Sequence, residues 1–279
     1  MATLLEGKKV AESVYSKILL DISLLPTIPK IVFVLVGDDG ASKTYVNAKG
    51  KKCTDLGLQS ETLRLPNDVS EEDLLRKISE LNKNKNVHGI LVQLPLPKKI
   101  NKARVLAEID PLKDVDGLHP ENAGRLLQGE PRFSPCTPAG VIEMLKFYNI
   151  PIEGKNAVVV GRSEIVGKPM ALLLLMQNAT VTVVHSKTSD LKAVTKAADI
   201  LVVAMGKPNF IGADHVKAGA VVVDVGIHRT PDGLVGDVDF KAVEPKVSAI
   251  SPVPGGVGPM TICMLMKNLL TAATLQQKK

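Results

Sequence analysis

Aromatic side chains are scarce in this sequence, which has no tryptophan, three tyrosines and five phenylalanines. Proteins that bind single-stranded nucleic acid stack the bases on aromatic rings, and this chain offers few such platforms. The net charge of +6 is spread along the chain without a long basic block. Nucleic acid is therefore not expected as a partner, and small anionic ligands are the better expectation.

Cysteine and long apolar runs are also lacking. Cys53, Cys136 and Cys263 lie far apart without metal-ligand spacing, so no metal site is expected, and such a small, odd set is typical of a reducing cytoplasm. No apolar run reaches membrane-spanning length, and residues 1–6 lack the features of a secretory signal. These absences predict a cytoplasmic protein with no membrane contact.

The most informative stretch runs from Asn156 to Pro169, with the sequence NAVVVGRSEIVGKP. An apolar run ends at Gly161, a polar turn follows, and Gly167 precedes a second apolar run. We interpret this as a buried strand, a tight turn and a helix with Pro169 in its first turn. Free backbone N–H groups at such a helix start suit a phosphate or pyrophosphate, and an ordinary strand-to-helix turn is the alternative.

The glycine spacing departs from two nucleotide-binding motifs. The fingerprint G-x-G-x-x-G requires a glycine where Ser163 stands. The nucleotide-triphosphate loop has four residues between its glycines and then Lys-Ser/Thr, whereas five residues intervene here and Pro169 follows Lys168. An ATPase is therefore disfavoured.

The next predicted strand, 180–185, bears on the choice of dinucleotide. In NAD sites an acid usually ends this strand and binds the ribose hydroxyls. Here the strand ends in His-Ser-Lys-Thr at 185–188, and the first acid is Asp190. Hydroxyls and a cation suit a ribose with a 2′-phosphate, which points to NADP, and a plain polar turn is the alternative.

Two polar features stand out in the first half of the chain. Tyr45 and Lys49 are four residues apart in a predicted helix, so they share a face and could position a substrate and move its protons. Gln93 ends an apolar predicted strand, where ligands collect in parallel sheets. A solvated lysine beside a half-buried tyrosine, and a satisfied core amide, are the ordinary interpretations.

Two loops complete the set of candidate sites. The turn Asp110–Gly117 carries three acids but lacks the glycine and glutamate positions of a calcium loop. A single carboxylate there could bind an N–H beside an exocyclic amine of a heterocycle, and an exposed turn is the alternative. The loop 252–259 has three glycines and three prolines, which suits close approach by a ligand.

The alternation of apolar runs and amphipathic segments predicts an α/β fold, with a doubly wound parallel sheet from residue 138 onward. The predicted strands are 30–36, 58–65, 87–94, 157–160, 180–185, 199–205, 220–225 and 249–253. The predicted helices are 4–25, 42–56, 69–81, 103–109, 138–148, 170–176 and 260–275, with Ser42 and Thr137 as caps and with Ser70 followed by three acids in the first turn of 69–81. Residues 134–138 resemble a hinge, so we expect one domain over 1–136 plus 260–279 and another over 137–259.

Taken in order, these stretches resemble one family, the bifunctional methylenetetrahydrofolate dehydrogenase/methenyltetrahydrofolate cyclohydrolases. The motifs span nearly the whole chain and together are highly specific. They are VGDDGASKTYVNAKGKKC at 36–53, GILVQLPLP at 89–97, DVDGLHPEN at 114–122, TPAGV at 137–141, GRSEIVGKP at 161–169, HSKT at 185–188 and PVPGGVGPMT at 252–261.

The resemblance implies an N-terminal α/β catalytic domain and a C-terminal Rossmann-like parallel-sheet domain that binds NADP, with tetrahydrofolate derivatives in the cleft between them. It implies a homodimer that oxidises 5,10-methylenetetrahydrofolate with NADP+ and then hydrolyses the 5,10-methenyl cation to 10-formyltetrahydrofolate. Such an enzyme serves one-carbon metabolism, including purine, histidine and methionine biosynthesis.

The resemblance also implies roles for individual residues. By position, Lys49 looks like the key cyclohydrolase residue, Tyr45 a substrate-orienting ring, Gln93 the amide that positions Lys49 and Asp116 the pterin anchor. The other implied folate contacts are Leu94, Pro254, Gly255 and Gly256. The implied cofactor contacts are Gly161, Arg162, Ser163, Ser186, Ile227 and Thr261, of which Arg162 and Ser186 are assigned to the 2′-phosphate.

Two other functions compete with this interpretation. An NADP-dependent dehydrogenase of another small anion would leave Tyr45, Lys49, Gln93 and Asp116 unexplained as a set. A dinucleotide-binding module without activity would bind NADP but turn over no folate. With no phosphate loop for ATP, a formate-activating synthetase domain is not expected.

Overall fold

Strands and helices alternate along much of the chain in the computed structural model, which describes residues 2–231 and 233–277. The strands are β1 (Thr3–Leu4), β2 (Lys30–Val36), β3 (Gln59–Leu65), β4 (Gly89–Val92), β5 (Asn156–Val160), β6 (Thr180–Val184), β7 (Ile200–Val203), β8 (Val221–Asp224), β9 (His228–Thr230), β10 (Gly233–Val235) and β11 (Ala249–Ile250). The helices are α1 (Gly7–Ser23), α2 (Gly40–Asp55), α3 (Glu71–Lys83), α4 (Lys102–Glu108), α5 (Pro120–Leu127), α6 (Cys136–Phe147), α7 (Gly167–Met176), α8 (Leu191–Lys196), α9 (Phe240–Val243) and α10 (Val257–Gln277). None of these helices is long and apolar enough to cross a membrane.

The chain divides into two compact units. We call them the three-stranded unit, Tyr15–Ser134 with Leu265–Lys279, and the six-stranded unit, Met1–Val14 with Pro135–Met264. One boundary between the units, between Ser134 and Pro135, falls inside the predicted hinge at residues 134–138. Residues 2–14 and 260–264, which the sequence assigned to the first domain, group instead with the six-stranded unit. Residues 1, 278 and 279 of the predicted first domain, and residue 232 of the predicted second domain, lie outside the described residues.

The start of the chain explains part of this difference. We predicted that Leu4 begins a helix, but it lies in β1, which pairs in parallel with β11 and places Leu4 opposite Ile250. The two-residue strand has no periodicity of its own, so only its distant partner defines it. The pairing makes residues 3 and 4 an edge of the larger sheet.

The three-stranded unit is built around β2. The sheet has the order β3-β2-β4 with parallel pairs, and Ile31–Val36 of the central strand are all buried. A strand covered on both faces needs a continuous apolar run, and this one reads KIVFVLV. A parallel bridge between Ile90 and Asp114 brings the turn after Asp114 alongside β4. Polar residues after these strands therefore gather at one edge of the sheet.

The six-stranded unit carries the doubly wound sheet. Its order is β1-β11-β8-β7-β5-β6, and the neighbouring strands pair in parallel. β5 lies between β6 and β7, so the chain passes from β5 to β6 on one side and then crosses over to β7 on the other side of β5. Ligands bind at such a switch point, beyond the carboxyl ends of the strands. The antiparallel hairpin β9–β10 was not predicted.

The residues that cap α2 and α3 can be compared with the prediction. Ser70 caps α3, since its Oγ accepts the Asp73 N–H at 3.0 Å, and the helix begins at Glu71, two residues later than predicted. The prediction for Ser42 was wrong: Asp39 caps α2, and its carboxylate accepts the Ser42 N–H at 2.7 Å. The helix therefore begins earlier than predicted, at Gly40.

Lys113 is a buried cation at the carboxyl end of α3. Its Nζ donates to the carbonyls of Leu81, Asn82 and Asn84 at 3.1, 2.7 and 2.8 Å. Carbonyls at a helix end have no partner in the next turn, so the ammonium supplies the missing donors. Burial lowers the pKa of Lys113.

We predict that Lys113→Met lowers the free energy of unfolding by about 2–4 kcal/mol, because three carbonyls at the end of α3 lose the donor that a buried ammonium supplies. Chemical denaturation measures the change. Lys83→Met is the matched control: Lys83 is an exposed lysine in the last turn of the same helix, and its replacement should cost less than about 0.5 kcal/mol. Equal losses in the two variants would contradict the assigned role of Lys113.

Candidate functional site

Lys49 and Gln93 come from different elements and meet through a hydrogen bond. Lys49 lies on the buried stripe of α2, and its Nζ donates to Oε1 of Gln93 at 3.0 Å. Gln93 directly follows β4, and its backbone N–H donates to the Val34 carbonyl at 2.9 Å, which continues the ladder between β2 and β4. The parallel pairing of β2 and β4 thus places the Gln93 side chain where the helix after β2 can reach it.

The amide of Gln93 has a defined orientation. Its Nε2 donates to the Leu94 carbonyl at 2.7 Å, which leaves Oε1 for Lys49. Lys49 is only 9% exposed, so its amine is held in a largely dry position by a neutral acceptor. An amine fixed in this way keeps bonding capacity for a ligand and can transfer a proton.

Tyr45 and Asp116 are open to a ligand. Tyr45 lies one helical turn before Lys49 and is 42% exposed, and its hydroxyl bonds to none of the described residues. Asp116 is half-buried, and within 2–231 and 233–277 no donor contacts its carboxylate. The structure therefore joins Lys49 to Gln93 by a direct bond, whereas Tyr45 and Asp116 make no hydrogen bond to that pair.

Asp114 holds the turn that presents Asp116, a role that the sequence did not reveal. Its buried carboxylate accepts the N–H groups of Leu118 at 3.2 Å and His119 at 2.8 Å, and the Asn122 Nδ2 at 2.8 Å. Burial raises the pKa of Asp114. The motif DVDGLHPEN contains all of these residues, but the sequence alone does not indicate which of its acids is buried.

The glycine turn after β5 packs against the end of β7. Gly161 has a φ of 125°, and a Cβ there would lie 2.2 Å from the Ala204 carbonyl oxygen. A Cβ on Gly167 would lie 2.2 Å from the Gly161 carbonyl oxygen. Both positions therefore require glycine, because the backbone of the turn packs directly against the backbone beside it; we call this glycine turn at the switch point the cradle.

Ser163 occupies part of the predicted phosphate site. Its Oγ accepts the N–H groups of Val166 at 3.2 Å and Gly167 at 3.3 Å. The expectation that these groups are free at the helix start was therefore wrong, because the serine caps them. Pro169 lies in the first turn of α7, as predicted. Arg162, next to the glycine, is exposed and available to an anion.

The end of β6 has the chemistry of a 2′-phosphate site. The turn is closed by the His185 N–H, which donates to the Thr188 Oγ1 at 3.0 Å, and Ser186 and Lys187 are exposed. Asp190 caps α8 by accepting the Ala193 N–H at 3.0 Å, so the first acid after the strand is used for capping. With the glycine cradle, these residues fit NADP better than a dinucleotide with free ribose hydroxyls.

The remaining predicted contacts in the six-stranded unit lie on loops and on α10. Ile227 follows β8 and is 47% exposed. Thr261 lies in α10, and its hydroxyl is 2.9 Å from that of Thr137. Thr137 was predicted to cap α6, but it lies inside that helix, whose first residue is Cys136.

The proline-glycine loop is tightly folded. The Gly256 N–H donates to the Pro252 carbonyl at 2.8 Å, and the Gly255 carbonyl accepts the Gly7 N–H at 2.9 Å. Gly255 has a φ of 103°, which favours glycine. The predicted contacts Pro254, Gly255 and Gly256 are therefore on a loop whose shape is fixed by backbone hydrogen bonds.

The switch-point cradle and the polar end of β6 define a class, the α/β proteins that bind a nicotinamide dinucleotide. Family models refine this class. The catalytic domain of tetrahydrofolate dehydrogenase/cyclohydrolase matches residues 5–116, and the NAD(P)-binding domain of the same family matches residues 135–277. The chain belongs to the tetrahydrofolate dehydrogenase/cyclohydrolase family, which confirms the resemblance seen in the sequence.

Individual relatives agree along the full length. The bifunctional protein FolD of Oceanobacillus iheyensis is 51% identical over 277 residues, covering 98% of this chain and 97% of its own. The solved structure of the bifunctional FolD dehydrogenase/cyclohydrolase of Campylobacter jejuni is 46% identical, with a TM-score of 0.96 and 99% of both chains covered. That of the Trypanosoma brucei enzyme, complexed with NADP and an inhibitor, is 38% identical with a TM-score of 0.95, covering 100% of this chain and 99% of its own. The predicted two-domain α/β fold is confirmed.

We predict that Gly161→Ala weakens NADP+ binding by at least ~10-fold, because the new methyl group collides with the Ala204 carbonyl and deforms the cradle. Isothermal titration calorimetry measures the dissociation constant. Gly212→Ala in the same unit is the control, since its nearest atom, Asp214 Oδ1, would lie 3.5 Å from the added Cβ. Unchanged affinity in Gly161→Ala would show that the cradle is not the dinucleotide site.

Proposed function

We propose that this protein is a bifunctional one-carbon folate enzyme. It oxidises 5,10-methylenetetrahydrofolate to 5,10-methenyltetrahydrofolate with NADP+ and hydrolyses the product to 10-formyltetrahydrofolate. The hydrogen bond of 3.0 Å between Lys49 and Gln93 carries the proposal, because it lies in the region that matches the catalytic-domain model. Membership in the family does not favour a dehydrogenase of another small anion or a binding module without activity.

For the oxidation, the chain has to bind and orient the folate rather than stabilise a negative charge. Loss of hydride from the methylene carbon leaves a cation delocalised over the two adjacent nitrogens. NADP+, when bound, accepts that hydride. Asp116 anchors the pterin by accepting its N–H and exocyclic amine, and Tyr45 orients the ring system. Both side chains make no hydrogen bond to the described residues, which supports these roles.

For the hydrolysis, the chain has to activate water and move protons. Water adds to the methenyl carbon and loses one proton. The bond from that carbon to N5 then breaks as N5 takes up a proton, and the remaining hydroxyl proton is lost to solvent, which leaves the formyl group on N10. Lys49 is placed to accept and return the proton, and Gln93 fixes its amine in position. The burial of Lys49 limits competing contacts with bulk water.

The remaining ligand contacts are assigned as follows. Arg162, near the switch point, and Ser186, at the end of β6, bind the 2′-phosphate, and both side chains are exposed. The further cofactor contacts are Gly161, Ser163, Ile227 and Thr261. The further folate contacts are Leu94, Pro254, Gly255 and Gly256.

We further infer a cytoplasmic homodimer. β6 is an edge of the six-stranded sheet, and Val183 on this strand and Leu175 on α7 are exposed apolar side chains. An exposed apolar edge strand favours pairing with a second copy. Cys53, Cys136 and Cys263 are buried and form no disulfide bond within the described residues, which is compatible with a reducing compartment.

We predict that Lys49→Ala oxidises 5,10-methylenetetrahydrofolate but accumulates the methenyl product, with hydrolysis slowed at least ~100-fold, because the proton acceptor is lost. Reduced cofactor and methenyl absorbance are followed together after adding substrate and NADP+. The wild type should form reduced cofactor without lasting methenyl absorbance. Lys51→Ala, an exposed lysine on the same helix, should behave as the wild type.

Two results would count against the proposed function. Wild-type protein that reduces neither NADP+ nor NAD+ with this substrate is not a methylenetetrahydrofolate dehydrogenase. Hydrolysis of the methenyl compound by Lys49→Ala at the wild-type rate would remove Lys49 from the mechanism and leave the oxidation untouched.

We predict that Ser186→Asp lowers kcat/KM for NADP+ relative to NAD+ by at least ~10-fold, because a carboxylate repels the 2′-phosphate and accepts ribose hydroxyls. Steady-state kinetics with both dinucleotides give the ratio. Ser189→Asp, an exposed position three residues further along, is the matched control and should leave the ratio unchanged. An unaltered ratio in Ser186→Asp would place the 2′-phosphate elsewhere.

A further inference from the structure

Asp237 is a fully buried carboxylate with no part in the mechanism above. Its Oδ2 accepts the backbone N–H groups of Met205 at 2.7 Å and Gly206 at 2.9 Å. Its Oδ1 accepts the N–H of Lys207 at 2.9 Å and lies 2.7 Å from Nε2 of His228. One side chain thus ties the loop 205–207 to the residue that begins β9.

A second buried carboxylate, Asp224, holds Asp237 in place. Its Oδ1 accepts the N–H groups of Asp237 at 3.0 Å and Gly226 at 2.9 Å, and its Oδ2 accepts that of Val238 at 2.9 Å. Burial raises the pKa of Asp224 to about 6. A Cβ on Gly226 would lie 2.5 Å from the Asp237 carboxylate, and a Cβ on Gly236 would lie 1.9 Å from Asp224 Oδ2. The backbone therefore packs directly against both carboxylates.

The loops that these acids hold flank the switch point. The loop 205–207 continues from Ala204, whose carbonyl oxygen is the atom nearest to a Cβ on Gly161. Ile227 lies between Gly226 and His228, both of which contact the carboxylate pair, and its own side chain is 47% exposed. The buried acids therefore fix the backbone on both sides of a predicted cofactor contact.

We propose that Asp237 is a positioning residue for the dinucleotide. It holds the loop 205–207 and, through His228, the segment that presents Ile227, so that the binding surface is formed before the cofactor arrives. Pre-ordering of this kind improves affinity, because binding then orders little of the protein. The inference rests on the proposed function, which supplies the dinucleotide.

The test is Asp237→Asn. Both carboxylate oxygens accept backbone N–H groups, so either orientation of the asparagine amide turns an N–H₂ group toward a backbone donor. Calorimetry gives the dissociation constant for NADP+, and steady-state kinetics give kcat and KM. Hydrolysis of 5,10-methenyltetrahydrofolate without cofactor reports on Lys49 in the three-stranded unit and serves as the folding control.

We expect Asp237→Asn to raise the dissociation constant and KM for NADP+ at least ~10-fold while cofactor-free hydrolysis stays within about twofold of the wild type. Asp239→Asn is the matched control. Asp239 caps α9 by accepting the Ala242 N–H at 3.2 Å, and asparagine caps a helix equally well, so no parameter should change.

Unchanged affinity for NADP+ in Asp237→Asn would overturn the inference. An equal loss of NADP+ affinity and of cofactor-free hydrolysis would also overturn it, because it indicates a general structural role.

If the asparagine variant does not fold, the variant His228→Ala provides the test. It should raise the dissociation constant at least ~3-fold with hydrolysis intact, and unchanged binding overturns the inference. If the wild-type protein binds no NADP+, both the proposed function and this inference are overturned. If the wild-type protein binds NADP+ and the variant binds it equally well, only the inference is overturned.

Discussion

Parallel pairing of strands is the constraint on which both candidate sites depend. It makes neighbouring strands run in one direction, so the residues that follow them gather at one edge of the sheet. In the three-stranded unit it brings Gln93, after β4, to Lys49 on the helix that follows β2. In the six-stranded unit it brings Gly161, after β5, against Ala204, after β7. Each site is therefore assembled from segments that are distant in the sequence.

Buried acids perform a similar task in the two units. Asp114 and Asp237 each accept several backbone N–H groups, and each holds a turn next to a side chain that is open to a ligand. A buried charge without partners would cost several kcal/mol, so such acids persist only where the backbone supplies donors. The neighbouring residues, Asp116 and Ile227, are the ones proposed to contact substrate and cofactor. In both units the turn is thus held by a carboxylate whose hydrogen bonds go to the protein's own backbone.

The sequence predicted the elements whose signals are local and left out those that depend on distant partners. β2 and β5 are continuous apolar runs, and the glycines at 161 and 167 have a spacing that marks a turn into a helix. β1 has only two residues and is defined by β11 near the other end of the chain. Asp39 and Ser42 are both good capping residues, so local chemistry could not choose between them. Asp237 looks like any acid in a loop until the loop 205–207 is seen around it.

The proposed oxidation requires that a hydride passes from the methylene carbon of the folate substrate directly to NADP+. This transfer is tested with 5,10-methylenetetrahydrofolate that carries two deuterium atoms at that carbon, in ordinary water, by mass spectrometry of the reduced cofactor and of the 10-formyl product. Each molecule of reduced cofactor should contain one deuterium atom, and the 10-formyl product should retain the other. Reduced cofactor without deuterium would contradict direct hydride transfer and with it the proposed dehydrogenase.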